Sequence, residues 1–541
     1  MQSIVTSIYT FSKLRERNCL YVDKTNFIYK LLKDEGDQFF CARPRRFGKS
    51  LTVSTLKAVF QGRRELFEGL YLAGTDYDWP VHPVIHIDFG RYDNSTLALM
   101  ETSLRDEMLE TAKRYDVELE GDSAAIMFKR LIRKLYEKYA CGVVLLIDEY
   151  DKPIIGHVED AGDAEAFRGA LEAFYQIIKG AEAQLRFVFL TGVTKFAKVS
   201  IFSKLNNLTD ISMSADYATM FGYTQAELEQ NFSGYLEALS HREKRRGTGR
   251  GLARRELLSA VRFWYDGFCF ADEAETVYNP VSIGKFFYNN GVFQNYWFET
   301  GTPTFLLKLL LGKNMFLTDM VEASMSVDSL ATFNLADLSG SNVPFERTVQ
   351  LLFQTGYLTL DHLLDMGMLR SFALRFPNFE VRSSFEVGLL TTYERLSEPN
   401  TYAVKLFRAA MSGDTALLID CLREFFAGLS YDIQVKQEKY YQSIVYTIFR
   451  MCGMEMQTEV TTNIGRIDGV LDTEGHLYII EFKLERSAAE AVAQIDTQKY
   501  AEQYIRPARE KGQRVHALGI NFSYEQGVRN ITDWQEKILD Y

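Results

Sequence analysis

The chain is short of the features that mark secreted, metal-stapled or membrane-spanning proteins. Its six cysteines, Cys19, Cys41, Cys141, Cys269, Cys421 and Cys452, are scattered without a CxxC pair, which argues against a zinc site or a disulfide framework and fits reduced thiols. No apolar run approaches the roughly 20 residues needed to cross a bilayer; the longest, such as 143–147, are strand-sized. The first residues, MQSIVTSIYTFSKLRERN, lack the sustained apolar core and small-residue cleavage site of a secretory leader, so a cytoplasmic protein without a membrane partner is expected. Internal repeats and low-complexity tracts are absent. Net positive charge is missing as well: 61 Lys and Arg against 72 Asp and Glu leave −11. Any grip on a phosphate backbone must then come from local basic patches rather than a global field.

What is present is ordinary globular material, 47% hydrophobic and 25% charged, which predicts folding throughout. At 541 residues the chain exceeds one hydrophobic core. Three domains are expected, at 1–225, 226–408 and 409–541. In the first, strand-length apolar runs at 38–42, 84–89, 143–147 and 187–190 alternate with helical stretches long enough to be crossovers, the pattern of a parallel α/β sheet. The second is read as a mainly helical or winged lid and connecting domain, with a capped helix start at Asn279-Pro280 and a helical piece at 304–311. The third orders strands at 457–462, 466–471 and 477–482, a helix from Ser487 to about Tyr504 and a strand at 514–522, a smaller α/β unit.

Chemistry concentrates at two places. In RPRRFGKS, residues Phe47-Gly48-Lys49-Ser50 match the end of a P-loop, whose turn amides cradle phosphates while lysine reaches the outer phosphates and the hydroxyl binds magnesium. Arg43 stands where the full motif has glycine. The run before Arg43 reads as the preceding strand, and the segment opening at Leu51 reads as the helix whose amino end faces the anion. The apolar run at 143–147 then ends in Asp148 and Glu149, one carboxylate for the magnesium shell and the other to orient water. Thr191 ends the next strand, as a γ-phosphate sensor or a plain turn residue. Arg43, Arg45 and Arg46 are read as added positive charge, as phosphate neutralisation at the helix edge or as solvated residues; no arginine finger is legible.

The other centre is Asp468 in GRIDGVL and Glu481 with Lys483 in YIIEFKLE. Strand alternation puts Glu481 and Lys483 on one face. Two carboxylates can hold magnesium while the lysine steadies a hydrolytic water or the charge that develops on phosphorus. The alternative is a surface salt bridge across a hairpin; the apolar run before Glu481 argues against it, because an unpaired buried carboxylate is costly. Glu438 on the preceding helix and Gln494 on the following one are candidates to complete the cluster. A basic stretch, HREKRRGTGRGLARR at 241–255, reads either as a solvated loop or as a backbone-phosphate contact.

These segments resemble a bacterial AAA-ATPase-like family fused to a carboxy-terminal PD-(D/E)XK nuclease-superfamily domain. LRERNCLYVDKTNFI, ARPRRFGKSLTVSTLKAVF and LLIDEYDKP carry the first resemblance. GRIDGVL, YIIEFKLERSAAEAVAQIDTQKYAEQY and ALGINFS carry the second, with FWYDGF and VYNPVSI as weaker matches between them. The resemblance tolerates arginine at Arg43. It implies metal roles for Asp468 and Glu481, catalysis by Lys483 and an accessory acid at Glu438. Gln494 and Tyr500 depart from the QxxxY spacing of some exonuclease branches, so polarity is not implied.

The expectation is thus an ATP-binding and ATP-hydrolysing protein with a magnesium-dependent nuclease-like centre acting on nucleic acid, DNA ahead of RNA. A homo-oligomer or a protein partner is compatible with it. The rivals are a regulatory ATPase switch whose last domain binds nucleic acid or protein without cutting, and an interaction scaffold in which ATP is structural.

Overall fold

The computed structural model describes the chain apart from residues 35, 158–160, 196–206, 246, 298–323, 327–328, 331–344, 366–369, 394–398, 429–437, 453, 455, 462–464, 525–528 and 540–541. The expected helix at 304–311 lies outside the described residues. The chain divides into two compact units, one from residues within 1–301 and 323–381, the other from residues within 382–541.

The first unit is organised by five parallel strands, β1 (Gln38–Ala42), β2 (Val84–Asp88), β3 (Val143–Asp148), β4 (Leu185–Gly192) and β5 (Thr209–Asp210), in the order β2-β3-β4-β1-β5. β3 is buried at all six positions. A parallel strand covered on both faces needs such an unbroken apolar run, and that is why it was legible. The crossovers are helices with ordinary stops. Thr96 and Ser123 accept from the amides of Leu99 and Ile126 at the starts of Leu97–Arg114 and Ala124–Tyr139, and Ala140 closes the latter in the left-handed region.

Around this sheet the same unit carries the helices Gln225–Asn231, Ser233–Ser240, Arg254–Tyr265 and Pro280–Tyr288. They share an aromatic core that includes Phe232, Tyr265, Phe286 and Phe287. Asn279 caps the last helix by accepting from Val281 and Ser282, with Pro280 in its first turn, as its sequence predicts. The unit also holds an antiparallel three-stranded sheet, β6 (Ser324–Ser326), β7 (Thr359–Asp365) and β8 (Arg370–Arg375), whose strands the reading of a helical or winged lid did not place. In the basic stretch, Arg242 binds Asn290 and Arg254 lies 3.6 Å from Glu229.

The second unit holds a mixed sheet, β13-β12-β11-β10-β9, from β9 (Met456–Thr461), β10 (Arg466–Asp472), β11 (His476–Leu484), β12 (Arg514–Phe522) and β13 (Ile531–Leu539). β11 and β12 run parallel and the other pairs antiparallel. β13 is a largely exposed, polar edge strand, so it lacks the alternation that reveals a buried one. The single helix expected from Ser487 is two, Ala488–Thr497 and Glu502–Lys511, separated at left-handed Lys499. Among the described residues, no helix is long and apolar enough to cross a membrane.

Candidate nucleotide site and acidic centre

β1 ends at Ala42 and the helix Lys49–Phe60 begins after a loop in which Arg46 and Gly48 both have positive φ, 70° and 94°. Such reversals turn successive amides to one side, the geometry of an anion cradle at a helix amino end. Lys49, buried, donates to the carbonyls of Arg43 and Pro44, each at 2.8 Å. Burial lowers its pKa, opposed by the charges of Asp148, Asp151 and Glu149. Leu51 lies half-buried in the helix's first turn.

Asp148 closes β3 and hydrogen-bonds the Ser50 hydroxyl. Its pKa is pushed up to about 6, first by burial and then by Asp88, with the Ser50 hydrogen bond and Lys49 opposing. A hydroxyl and a carboxylate in contact form a donor pair that fits a hard divalent ion. Glu149 follows at φ 49°, and Lys152 stands 3.5 Å from its carboxylate. Asp88, not singled out in the sequence, lies beside Asp148 in register, at the end of β2. It accepts from Gly90 N at 2.9 Å and pairs with Arg91 at 2.9 Å. The signal was there: VIHID, like VVLLID, is an apolar strand ending in an acid.

The side chains of Arg43, Phe47 and Thr191 are engaged in packing and backbone hydrogen bonds around the loop. The guanidinium of Arg43, 1% exposed, lies over the Phe270 ring at 4.2 Å and donates to the carbonyls of Ala42, Ser212 and Tyr217. It braces the strand ends instead of adding charge to the loop, whose claim on Arg43 is the carbonyl that receives Lys49. Phe47 is buried edge-on against Phe268 and Phe270, anchoring the loop. Thr191 is fully buried between β4 and β1 with its hydroxyl donated to the Cys41 carbonyl at 2.8 Å. Arg46 is exposed and contributes its left-handed backbone. Asp151, unremarked in the sequence, is buried and accepts from Val193 N, Thr194 N and the Thr194 hydroxyl, tying the end of β4 to the turn after β3.

In the second unit, β11 places Glu481 and Lys483 on one face, both buried, with the ammonium 3.1 Å from Glu481 Oε1 and 3.0 Å from the Phe482 carbonyl. Gln494, on the helix Ala488–Thr497, donates to the same Glu481 oxygen. That helix comes close because Gly519 on β12 faces it: an added Cβ would stand 2.4 Å from the Ala488 carbonyl. Asp468 accepts from Phe482 N at 2.8 Å. Glu481 is pushed up to about 8, by burial first and the neighbouring Asp468 second, with Lys483 opposing.

Glu481 Oε2 is buried without a hydrogen-bond partner. An orphaned carboxylate oxygen beside a second carboxylate fits a divalent ion of the magnesium class. Among the described residues, however, no three His, Cys, Asp or Glu side chains gather as a metal site. Glu438 opens the helix Glu438–Met451, whose reach into the centre is made one turn later: Gln442 donates to the Asp468 carbonyl at 2.7 Å. The spacing of four residues from Glu438 was the available signal.

Residues 6–202 match a family model described as a predicted AAA-ATPase, and residues 436–533 match the PD-(D/E)XK nuclease superfamily. An uncharacterized protein in the vnfD 5' region of Azotobacter chroococcum mcd 1 is 35% identical over 529 residues, 95% of each chain.

Proposed function

The chain belongs to the AAA-ATPase-like family and carries a carboxy-terminal PD-(D/E)XK nuclease-superfamily domain, and from that premise we propose that it binds and hydrolyses ATP and cuts nucleic-acid phosphodiesters with magnesium, DNA ahead of RNA. The observation that carries the cutting role is the buried pair Glu481 and Lys483 joined by half-buried Asp468 and Gln494, in which one Glu481 carboxylate oxygen has no hydrogen-bond partner.

In this reading Lys49 and the loop amides from Arg46 to Ser50 bind the phosphates, Ser50 and Asp148 hold the ion, and Glu149 orients the attacking water. In the other unit Asp468 and Glu481 hold the ion, and Lys483 positions the water and faces the developing negative charge. Gln494 keeps the Glu481 carboxylate in place. Magnesium, when bound, supplies charge neutralisation at the phosphoryl oxygens. Everything else is orientation by the strands.

A second reading, a regulatory ATPase whose last domain binds without cutting, draws on the two-carboxylate donor set. Strand cleavage of DNA and RNA, with and without ATP and magnesium, decides between them. Magnesium-dependent cleavage that Glu481→Ala and Lys483→Ala abolish, with ATP turnover spared, supports the first. Absence of cleavage by the wild type, or cleavage that survives in those variants, rejects it.

A further inference from the structure

FWYDGF and VYNPVSI play no part in the chemistry of either site, yet both lead back to the nucleotide loop. Gly267 has φ 117°, and an added Cβ there would stand 2.0 Å from the Pro377 carbonyl oxygen. That close passage sends Phe268 onto Phe47 at 4.8 Å. From the other motif, Ser282 donates to Glu380 Oε2 at 2.7 Å; Glu380 Oε1 accepts from Trp297 N at 2.7 Å, and the Trp297 indole N–H donates to the Arg45 carbonyl at 3.2 Å. Glu380 is fully buried and Trp297 is 6% exposed. The Trp297 ring is set by Tyr357, 5.1 Å away. The neighbouring Gly356, at φ 90°, would drive an added Cβ to 2.6 Å from Pro44.

We infer that Trp297, held by Glu380, is a positioning residue for the nucleotide loop, setting the peptide between Arg45 and Arg46 for phosphate binding. That peptide is trans, so a carbonyl pinned toward the indole turns the Arg46 N–H the opposite way. Left-handed Arg46 then hands the chain to Gly48 and the helix start. The inference rests on reading Arg43 to Ser50 as the phosphate loop. Its ligand is therefore a nucleoside triphosphate, and its effect is on affinity rather than on the chemical step.

The test uses the full chain. Trp297→Phe keeps an aromatic ring against Tyr357 and removes the N–H. It raises the Kd for ATP by about five- to tenfold, the worth of one hydrogen bond, while kcat changes by less than about twofold. Glu380→Ala does the same, and Glu380→Gln, which keeps an acceptor for Trp297 N, restores wild-type affinity. The tryptophan emission of the wild type changes on adding ATP, and Trp297→Phe removes most of that change, a readout that needs no second variant to fold. Affinity within twofold of wild type in folded Trp297→Phe, or an emission change undiminished in it, overturns the inference. ATP binding undisturbed by Lys49→Ala would instead overturn the loop reading beneath it.

Discussion

An added Cβ at Gly90 would stand 2.8 Å from Oε2 of Glu149, so the glycine after β2 is the floor on which the acid after β3 rests. The same Cβ would stand 2.7 Å from Asp88 Oδ1. Both contacts are with the ends of side chains, which can swing aside, so the fold tolerates alanine while the carboxylates move. Gly90→Ala should lower kcat for ATP by roughly tenfold or more, with ATP affinity within about twofold and stability within about 1 kcal/mol of wild type. Turnover that stays at the wild-type level in a folded Gly90→Ala protein would remove Glu149 from the water-orienting role.

The buried hydroxyl of Thr191 is committed to the Cys41 carbonyl. Thr191→Val should therefore cost about 1 kcal/mol of stability, read by denaturant unfolding, and leave ATP turnover within about twofold. A large loss of turnover with unchanged stability would favour the γ-phosphate sensor role over the structural one.

Gln494 and Lys483 share one oxygen of Glu481. With Gln494 truncated to alanine, Glu481 loses a neutral donor but keeps its charged one. Magnesium-dependent cleavage should fall about tenfold and need more magnesium, while ATP turnover is untouched. A magnesium titration of both activities checks this; equal losses in the two would point to a general fold defect.

Burial pushes the Glu380 carboxyl up to about 8, against an ordinary value of 4.5. The folded chain keeps a proton that the unfolded chain releases, so this group's contribution is fully present below about 4.5 and is lost as pH rises to about 8. The slope approaches roughly 1.4 kcal/mol per pH unit between those limits. Glu380→Gln removes the slope, so the unfolding free energy of the variant, minus that of the wild type, should grow with pH across this window. A difference that stays flat from pH 5 to 8 would contradict the buried, neutral carboxyl.

Much of the scaffold was legible because its signals are local. β3 is an apolar run broken only by its closing acid, β1, β2 and β4 are apolar-rich, and Glu481 and Lys483 share a face because a strand alternates by two. Asn279-Pro280 starts a helix by contacts within three residues. Exposed β13 gave no such pattern, and neither did the break at Lys499, where one residue leaves the helical region.

By itself, then, the order of residues determined where β1 to β4 and several helix starts lie, and it marked Lys49, Ser50, Asp148 and Glu149 at element ends and Asp468, Glu481 and Lys483 within β10 and β11. Each follows from periodicity and the short reach of the backbone. Only the tertiary structure decided that Arg43 braces Ser212 and Tyr217, that Asp88 joins Asp148, that Gln442 reaches Asp468, and that Trp297 holds Arg45 from 252 residues away. Partners so distant along the chain are chosen by which buried polar groups must be satisfied once the units close, and no local pattern encodes that choice.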